Sequence, residues 1–171
     1  MPAKFRNKEF KIGVYHIFQV GKSVVFATEA DFQKYLSNLR RFVPETETKL
    51  LAYCLLPNGL DLLVRQSSPR AITTLMRKLT TAYSMYKKAS VFRGVYKAKL
   101  LTGDREALDT SRMIHRSPMT TTTIGPLQIR STYASYQYSS YRLYLDKYTS
   151  KWIDTIEISR LVPNYQQFVE T

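Results

Sequence analysis

A single carboxylate interrupts an apolar stretch of the chain. Residues 50–66, LLAYCLLPNGLDLLVRQ, have the pattern of two buried strands joined by a tight turn, and Asp61 lies inside the second strand. Aspartate disfavours the pleated conformation and is costly to bury without a partner. Its carboxylate could bind a hard cation such as Mg²⁺ or Mn²⁺, but one carboxylate alone makes at most a weak metal site.

Other residue types that carry chemistry are scarce. The chain has one cysteine, Cys54, and two histidines, His16 and His115. A lone cysteine forms no internal disulfide and no cysteine-rich metal site, so we interpret Cys54 as a buried strand residue. We interpret His16 as a strand residue and His115 as a helix residue, each with ordinary hydrogen bonds and no metal.

Basic residues dominate the charge and are grouped along the chain. The net charge is +13, and no Asp or Glu lies between Asp61 and Asp104 or between Asp109 and Asp146. Lysine and arginine neutralise phosphates, and tyrosines interleaved with the second gap could stack on unpaired bases. The pattern favours nucleic-acid binding over a membrane surface, because no helix pairs a strongly apolar face with a lysine-rich one. The alternative is a solvated basic face with the tyrosines in the core.

The candidate nucleic-acid-binding residues come from these two gaps. They are Arg65, Arg77, Lys78, Lys87, Lys88, Arg93, Lys97, Lys99, Arg112, Arg116 and Arg142, with Arg130 in the same gap as the last three. The interleaved aromatic residues are Tyr133, Tyr136, Tyr138, Tyr141 and Tyr144.

The length of 171 residues is that of one domain, and no apolar segment is long enough to predict a signal peptide or a membrane helix. We therefore expect a single cytoplasmic domain. Alternation over 11–20 predicts a first strand. Thr28 opens the sequence TEAD, a capping box that predicts a helix ending at Pro44.

A hairpin and a second helix follow. Residues 49–56 and 60–66 are predicted to pair around the sequence PNG, with Asn58 and Gly59 at positive φ. Ser68 is predicted to cap a helix that has Pro69 at its first position.

A fourth strand completes the predicted core. It spans residues 91–102 and has Lys97 and Lys99 on one face. The element order βαββαβ predicts an α+β fold, ferredoxin-like, with two helices on one face of an antiparallel sheet and the strand from Leu60 near its centre.

The rest of the chain predicts a helical extension. Asp104 can cap a third helix that ends near Pro118, and the sequence TTTTIGPL at 120–127 predicts a loop. Short helices are expected at about 137–145, 155–161 and 163–169. We divide the domain, residues 1–171, into a core of about 10–118 and a C-terminal extension of about 119–171.

Several segments of the sequence resemble a known family, the REP-associated tyrosine transposases, which are a branch of the HUH single-strand transposases. VYHIFQVGKSVVFATEADFQKYL is similar to the family's opening strand and helix, and GVYKAKLL is similar to its fourth strand. YQYSSYRLYL resembles the family's Tyr-Arg-Trp-Ser-Ser-Tyr segment, and YQQFVE resembles its final helix. The matches are weak one by one, but they occur in the family's order over nearly the whole chain.

The resemblance implies a fold, a ligand and a chemistry. Members join a βαββαβ core to a basic C-terminal extension, commonly form dimers, and bind single-stranded or hairpin DNA. Two histidines, spaced His-apolar-His on one strand, hold a divalent metal, Mg²⁺ or Mn²⁺. A tyrosine on a helix then attacks the phosphodiester to give a phosphotyrosine intermediate.

The residues that this chemistry requires are replaced here. The family reads Pro-Asn-His-apolar-His-Leu-Leu where this chain has Gly59 and Asp61 at the two histidine positions. The family reads Tyr-Ile-His-Leu-Asn-Pro-Val where this chain has Met113 at the tyrosine. We therefore predict no catalytic residue, no metal site and no cofactor, and we expect the Asp61 side chain to point into the former metal site, not into the core.

Three functions stay open from the sequence. The first is a catalytically inactive, transposase-like protein that binds single-stranded or hairpin DNA, or RNA, and that can form a homodimer. The second is an active metal-dependent transposase or nuclease in which another tyrosine, such as Tyr83, Tyr86 or one of the 133–144 group, supplies the nucleophile. The third is a structural or protein-interaction role. In the first case we expect six basic residues to converge on the vacated cleft, with Arg142 and its neighbouring tyrosines along the rim. The six are Arg77, Lys78, Lys97, Lys99, Arg112 and Arg116.

Overall fold

The computed structural model describes residues 10–120 and 133–171 and contains one four-stranded sheet. Its order is β2-β3-β1-β4, and each neighbouring pair is antiparallel. The elements are β1 Gly13–Val20, α1 Glu29–Phe42, β2 Thr48–Leu56, β3 Gly59–Gln66, α2 Ala71–Lys87, β4 Lys97–Leu100, α3 Asp104–Thr120, a 3₁₀ turn Tyr133–Ser135, α4 Tyr141–Leu145, α5 Ile156–Ser159 and α6 Tyr165–Glu170. The predicted βαββαβ, α+β fold is confirmed, and the strand that contains Leu60 is one of the two inner strands.

The first helix begins as the sequence predicts. The Thr28 hydroxyl accepts a hydrogen bond from the Asp31 amide, and the Asp31 carboxylate accepts one from the Thr28 amide. This reciprocal pair satisfies amide groups that have no partner within the helix. Phe32 and Leu39 are then buried at helical spacing against the sheet layer, and the helix ends just before Pro44.

The hairpin between β2 and β3 differs from the prediction. Neither Asn58 nor Gly59 has a positive φ. Leu56 pairs with Gly59, so the two turn residues are Pro57 and Asn58, and the Pro57 ring fixes a negative φ at the first of them. Gly59 is instead the first residue of β3, where a β-carbon would lie 2.6 Å from the Gln19 carbonyl oxygen. Glycine is needed there because the backbones of β1 and β3 approach closely.

The start of α2 also differs. The N-cap residue is Arg70, and Ser68 contributes its backbone carbonyl, 3.2 Å from the Ala71 nitrogen, not a side-chain cap. The fully buried side chain of Gln66 supplies the missing acceptor, since its Oε1 lies 3.1 Å from the Ile72 nitrogen. The last residue of β3 therefore caps α2 from six positions before the capped amide, an arrangement that the usual N-cap patterns do not indicate.

Two further bounds differ from the prediction. β4 is shorter than 91–102 because Gly94 adopts a φ of +68°, which breaks the extended backbone before Lys97. The helix α3 passes through Pro118 and ends at Thr120. Proline removes one helical hydrogen bond and its ring crowds the carbonyl four residues earlier, and α3 ends two residues after Pro118. Residues 121–127 of the predicted loop, and Arg130, lie outside the described residues.

The C-terminal segment runs along the outer edge of β2. The Leu55 nitrogen donates to the Tyr138 carbonyl over 2.8 Å, and the Ser140 nitrogen donates to the Tyr53 carbonyl over 2.9 Å. These bonds cover an edge that would otherwise expose unpaired backbone groups. The expected short helices are present as α4, α5 and α6, although α4 begins four residues after the predicted 137. In the part of the chain that the structure describes, no helix is both long and apolar enough to cross a membrane.

Candidate nucleic-acid interface

Asp61 has a partner on the neighbouring strand. Its Oδ1 lies 2.8 Å from Nε2 of His16, and both side chains are largely but not fully buried, with exposed fractions of 23% and 13%. Asp61 stands opposite Phe18 on β1 and opposite Cys54 on β2. The acid in the apolar run is therefore explained by a hydrogen bond to His16, and its side chain does not enter the hydrophobic core, as the sequence predicted.

One face of the sheet carries the polar residues of this region. Along β1, His16, Phe18 and Val20 alternate with buried Ile17 and lie on the same face. Lys97 stands opposite Phe18 and Lys99 opposite His16, so the face continues onto β4. The helix α3 and the C-terminal segment pack on β2 and β3, which leaves the β1–β4 half of this face more accessible.

The positions at which the resemblance implies catalysis do not fit a metal centre. Gly59 offers no side-chain ligand, and Asp61 is bonded to His16. Among the described residues, no three His, Cys, Asp or Glu side chains lie close enough to hold a metal ion. Met113 lies on α3 with 48% of its surface exposed, and a thioether carries no proton that ionises for phosphoryl transfer. The residues present therefore do not fit the divalent metal and nucleophile of the family.

A shallow groove separates β4 from the start of α3. Lys99 and Glu106 line it, and the Lys99 Nζ lies 2.9 Å from the Glu106 Oε1. The Thr102 amide and hydroxyl also donate to Glu106, and together with Lys99 they lower the pKa of Glu106 to about 2. Met113 closes the far end of the groove. Glu106 therefore offsets the positive charge of Lys99 in this groove, where the sequence predicted a cluster of basic residues.

His115 lies at the centre of a buried polar network. Its side chain is completely buried, with Nδ1 2.8 Å from the Tyr165 hydroxyl and Nε2 2.8 Å from the Ser140 hydroxyl. The Tyr165 hydroxyl donates onward to Ser111 over 2.8 Å. Burial lowers the pKa of His115 to about 3, so the imidazole is neutral at physiological pH. The predicted role of His115, a helix residue with hydrogen bonds, is confirmed.

The interleaved tyrosines belong to the core. Tyr136, Tyr138, Tyr141 and Tyr144 are buried, and the ring of Tyr138 stacks on Phe32 with centroids 3.9 Å apart. The hydroxyls of Tyr136 and Tyr144 donate to backbone carbonyls of β2, and burial raises the pKa of both phenols. These four rings cannot stack on bases, which corrects that expectation. Tyr133, which is partly buried, is the exception.

The other tyrosines considered as nucleophiles are also engaged elsewhere. The Tyr83 hydroxyl donates to the Val25 carbonyl over 2.7 Å, and the Tyr86 hydroxyl donates to Asp31 over 3.0 Å. Both tyrosines lie on α2, which packs with α1, and neither hydroxyl contacts Asp61 or Met113. The geometry offers no support for either tyrosine as a replacement nucleophile.

Four of the predicted basic residues form ion pairs. Arg65 pairs with Glu157, Lys78 with Glu45, Lys87 with Asp31 and Lys99 with Glu106. No ion pair to a described carboxylate is seen for the remaining seven, Arg77, Lys88, Arg93, Lys97, Arg112, Arg116 and Arg142. The positive charges of these seven residues are not offset by a described carboxylate, so they are more available to an external anion.

Arg112 and Arg116 lie one helical turn apart on α3. The guanidinium of Arg112 lies 5.1 Å from the ring centroid of Phe168, and that of Arg116 lies 5.9 Å from that of Tyr133. Both distances are typical of a cation over an aromatic face. The two arginines therefore face the C-terminal segment, while Lys97 and Lys99 lie on β4 of the sheet.

The expected convergence of the basic residues on one cleft is therefore wrong in its detail. Arg77 and Lys78 belong to α2, and Lys78 lies beside Glu45 and the ring of Phe42 at the end of α1. Gln66, which caps α2, and its neighbour Arg65 point to opposite faces of the sheet. Arg65 pairs with Glu157 of α5, and α5 packs with α3, so α2 and α3 lie on different sides of the sheet. Two basic surfaces result, one beside α2 and one around β4 and α3.

Sequence reasoning did not single out Phe18. It lies in a strand with ordinary alternation, and nothing local shows that the sheet face above it is left partly open. The available signal is that Phe18 shares a strand face with His16, two residues away, and that position 61 opposite carries an acid.

Comparisons with known proteins agree with the fold. No protein-family model matches the sequence, and no curated protein matches it. The structure of a REP-associated tyrosine transposase bound to a REP hairpin is similar to this chain, with a TM-score of 0.70 and 9% sequence identity over 87% of this chain and 90% of that one. A second structure, described as a transposase from Deinococcus radiodurans R1, covers 63% of this chain and 92% of its own length at 12% identity and a TM-score of 0.46. The fold of this chain is that of the REP-associated tyrosine transposase.

Proposed function

We propose that this chain is a member of the REP-associated tyrosine transposase family that binds single-stranded or hairpin DNA and has lost strand cleavage. The observation that carries the proposal is that transposase fold, taken together with Gly59, Asp61 and Met113 at the positions where the sequence resemblance implies two histidines and a tyrosine. We take residues 1–171 as one such domain, with the core and extension divided near residue 118.

The charge supports binding. The net charge of +13 and the seven basic residues without a described carboxylate partner leave a strongly positive surface, which attracts phosphates through counterion release. Arg112 and Arg116, held against aromatic rings, present two guanidinium groups one turn apart on α3. Because such pre-positioned groups lose little side-chain freedom on binding, they are the strongest candidates for binding phosphates.

The loss of cleavage follows from the chemistry of the site. A phosphodiester needs an activated nucleophile and a means to stabilise the negative charge that develops during attack. Met113 cannot supply the nucleophile, and Gly59 cannot supply a group that stabilises the negative charge. The Asp61 carboxylate is hydrogen-bonded to His16. We propose that the protein works without a metal cofactor. It acts as a homodimer if the family's assembly is retained.

Binding is tested with a labelled DNA hairpin between about 50 and 200 mM salt, where the neutralisation of phosphates has its largest effect on affinity. Changing Lys97, Lys99, Arg112 and Arg116 together to Ala should weaken binding and lower the salt slope by about one for each phosphate that is no longer neutralised. The control is the pair Lys34→Ala and Arg41→Ala, which removes two exposed positive charges from α1 and should change the affinity and the salt slope less than half as much as the four-alanine variant does. The proposed interface is contradicted if the four-alanine variant is folded and binds with unchanged affinity and slope.

Cleavage is tested separately with the same hairpin and added Mg²⁺ or Mn²⁺. We expect no product and no covalent protein–DNA complex on a denaturing gel. A covalent complex would favour the alternative of a rearranged active site, and mass spectrometry would identify the tyrosine involved. If the protein binds neither DNA nor RNA, the structural or protein-interaction role replaces the proposal.

A further inference from the structure

We propose that Phe18 and His16 form a stacking platform for unpaired bases of single-stranded DNA on the open face of the sheet. The inference rests on the proposed function, because it states where a bound strand places its bases. It adds a site with aromatic chemistry to the basic residues that bind the phosphates.

The two rings lie together on an inner strand. Phe18 and His16 are two residues apart on β1, so both project from the same face, and their ring centroids are 5.1 Å apart with an interplanar angle of 32°. Ile17, between them, is completely buried on the opposite face. Neither ring is completely buried, so each presents part of its surface outward. The pair forms a small cluster of two contacting rings near the middle of the sheet, and 13% of the His16 side chain is exposed.

The packing of the domain leaves this surface accessible. The described part of α3 packs on β2 and β3, and the segment around Ser139 lies along the outer edge of β2. On the other side of β1, the β4 residues Lys97 and Lys99 are exposed. A four-stranded βαββαβ sheet with aromatic side chains on its inner strands is an arrangement with which RNA-recognition modules stack two or three bases.

Charge complementarity favours a nucleic acid as the occupant. Lys97 stands opposite Phe18, and its ammonium lies 6.0 Å from the ring centroid. Lys99 stands opposite His16. A base that stacks on Phe18 would therefore bring its phosphate within reach of these lysines. A peptide or lipid could cover the rings, but neither would provide a negative charge at each backbone step.

Asp61 positions one half of the platform. Its hydrogen bond to Nε2 of His16 restrains the imidazole, so the ring is held in place before a ligand arrives. The resemblance implies a metal-binding histidine at position 61, and Asp61 replaces it. Stacking and phosphate pairing occur with either nucleic acid, so the choice of single-stranded DNA rests on the proposed function, and RNA serves as the comparison.

The test replaces Phe18 with Leu, which keeps an apolar side chain but removes the aromatic face. Fluorescence anisotropy with a labelled single-stranded oligonucleotide should show binding weakened about five- to twentyfold at constant salt, with an unchanged salt slope. Phe18→Trp should retain the affinity, since it restores a ring. Val20→Ala, on the same face of the same strand, is the matched control and should bind as the unmodified protein does.

A second arm removes single bases from the DNA while keeping every phosphate. Abasic nucleotides at the stacked positions should weaken binding to the unmodified protein more than binding to Phe18→Leu, because that variant keeps only the His16 ring of the platform. The platform is overturned if the unmodified protein binds DNA and Phe18→Leu binds equally well, or if the abasic effects are as large in that variant as in the unmodified protein. Absence of any nucleic-acid binding would remove the proposed function together with the platform. Tighter, Phe18-dependent binding of RNA would overturn the choice of DNA.

Discussion

His115 on α3 and Ser140 in the C-terminal segment are joined by a hydrogen bond of 2.8 Å between Nε2 and the hydroxyl. The same hydroxyl accepts a hydrogen bond from the Tyr53 amide over 2.9 Å, so three parts of the fold meet at one buried oxygen. The other imidazole nitrogen bonds to Tyr165 on α6. This network attaches the C-terminal extension to the sheet and to α3.

Replacing His115 with Ala should lower the free energy of unfolding by about 3 kcal/mol. The change leaves a cavity, and it also leaves the hydroxyls of Tyr165 and Ser140 without one hydrogen-bond partner each. Urea denaturation followed by circular dichroism measures the loss. Met113→Ala, two residues earlier on the same helix and half exposed, is the control and should change stability by less than about 0.5 kcal/mol. Equal effects of the two changes would contradict the role of the network.

The same histidine predicts how stability depends on pH. Burial lowers the folded-state pKa of His115 to about 3, below the ordinary value of about 6.5 that holds in the unfolded chain. The unfolded state therefore binds the extra proton first. The contribution of His115 is fully present above about pH 6.5 and is lost at about 1.4 kcal/mol per pH unit as the pH falls toward 3.

The measurement compares urea denaturation of the unmodified protein and His115→Gln between about pH 6.5 and 5, above the range where carboxylates titrate. His16 is present in both proteins, so the difference between the two slopes reports His115 alone. We expect the slope to be shallower in His115→Gln. Parallel slopes would mean that the imidazole is not held neutral in the folded protein.

The sequence predicts the elements of this fold well where the controlling interactions are local. The capping box at Thr28 and the alternation in β1 depend on residues close in sequence, and both are confirmed. The sequence pattern predicts the beginning of α2 at Ser68 and Pro69, yet the cap that forms comes from Gln66, six residues before the capped amide of Ile72. The N-cap patterns used for prediction involve residues two or three positions from the capped amide, so they do not indicate this cap.

For the candidate site as well, part of the arrangement could be predicted from the sequence and part could not. Asp61 is recognisable from the sequence as unusual, because an acid in an apolar strand needs a partner. The identity of that partner could not be predicted, since His16 is brought opposite by the pairing of β1 with β3. For the tyrosines of the C-terminal segment, composition alone does not distinguish a base-stacking surface from a buried core, and burial against β2 decides it.

Two tyrosines in the α1–α2 layer provide a matched test of buried hydroxyls. Tyr35 and Tyr83 are both completely buried, with ring centroids 5.5 Å apart. The Tyr83 hydroxyl donates to the Val25 carbonyl, whereas the Tyr35 hydroxyl has no hydrogen-bond partner among the described residues. Tyr35→Phe should therefore raise the free energy of unfolding by about 1 kcal/mol, and Tyr83→Phe should lower it by about 1 kcal/mol. Thermal or urea denaturation measures both, and changes of the same sign would contradict the assignment.

Gly59 tests how closely β1 and β3 approach, and whether the family's histidine can return. A β-carbon at Gly59 would lie 2.6 Å from the Gln19 carbonyl oxygen and 3.4 Å from the Val20 α-carbon, which are backbone atoms that cannot rotate away. We expect Gly59→Ala to lower the free energy of unfolding by about 1 to 3 kcal/mol, as for other overpacked interiors. Gly103→Ala is the control, because no atom lies within 4 Å of its β-carbon position, and it should change stability by no more than about 1 kcal/mol.

Gly59→His should be destabilised at least as much as Gly59→Ala, since the larger side chain begins with the same β-carbon. The combined variant Gly59→His, Asp61→His and Met113→Tyr would then have to shift these strands before it could bind a metal. Elemental analysis of that variant after incubation with Mn²⁺ is expected to show no stoichiometric metal, and a bound metal with unchanged stability would show that the strand spacing adapts without cost.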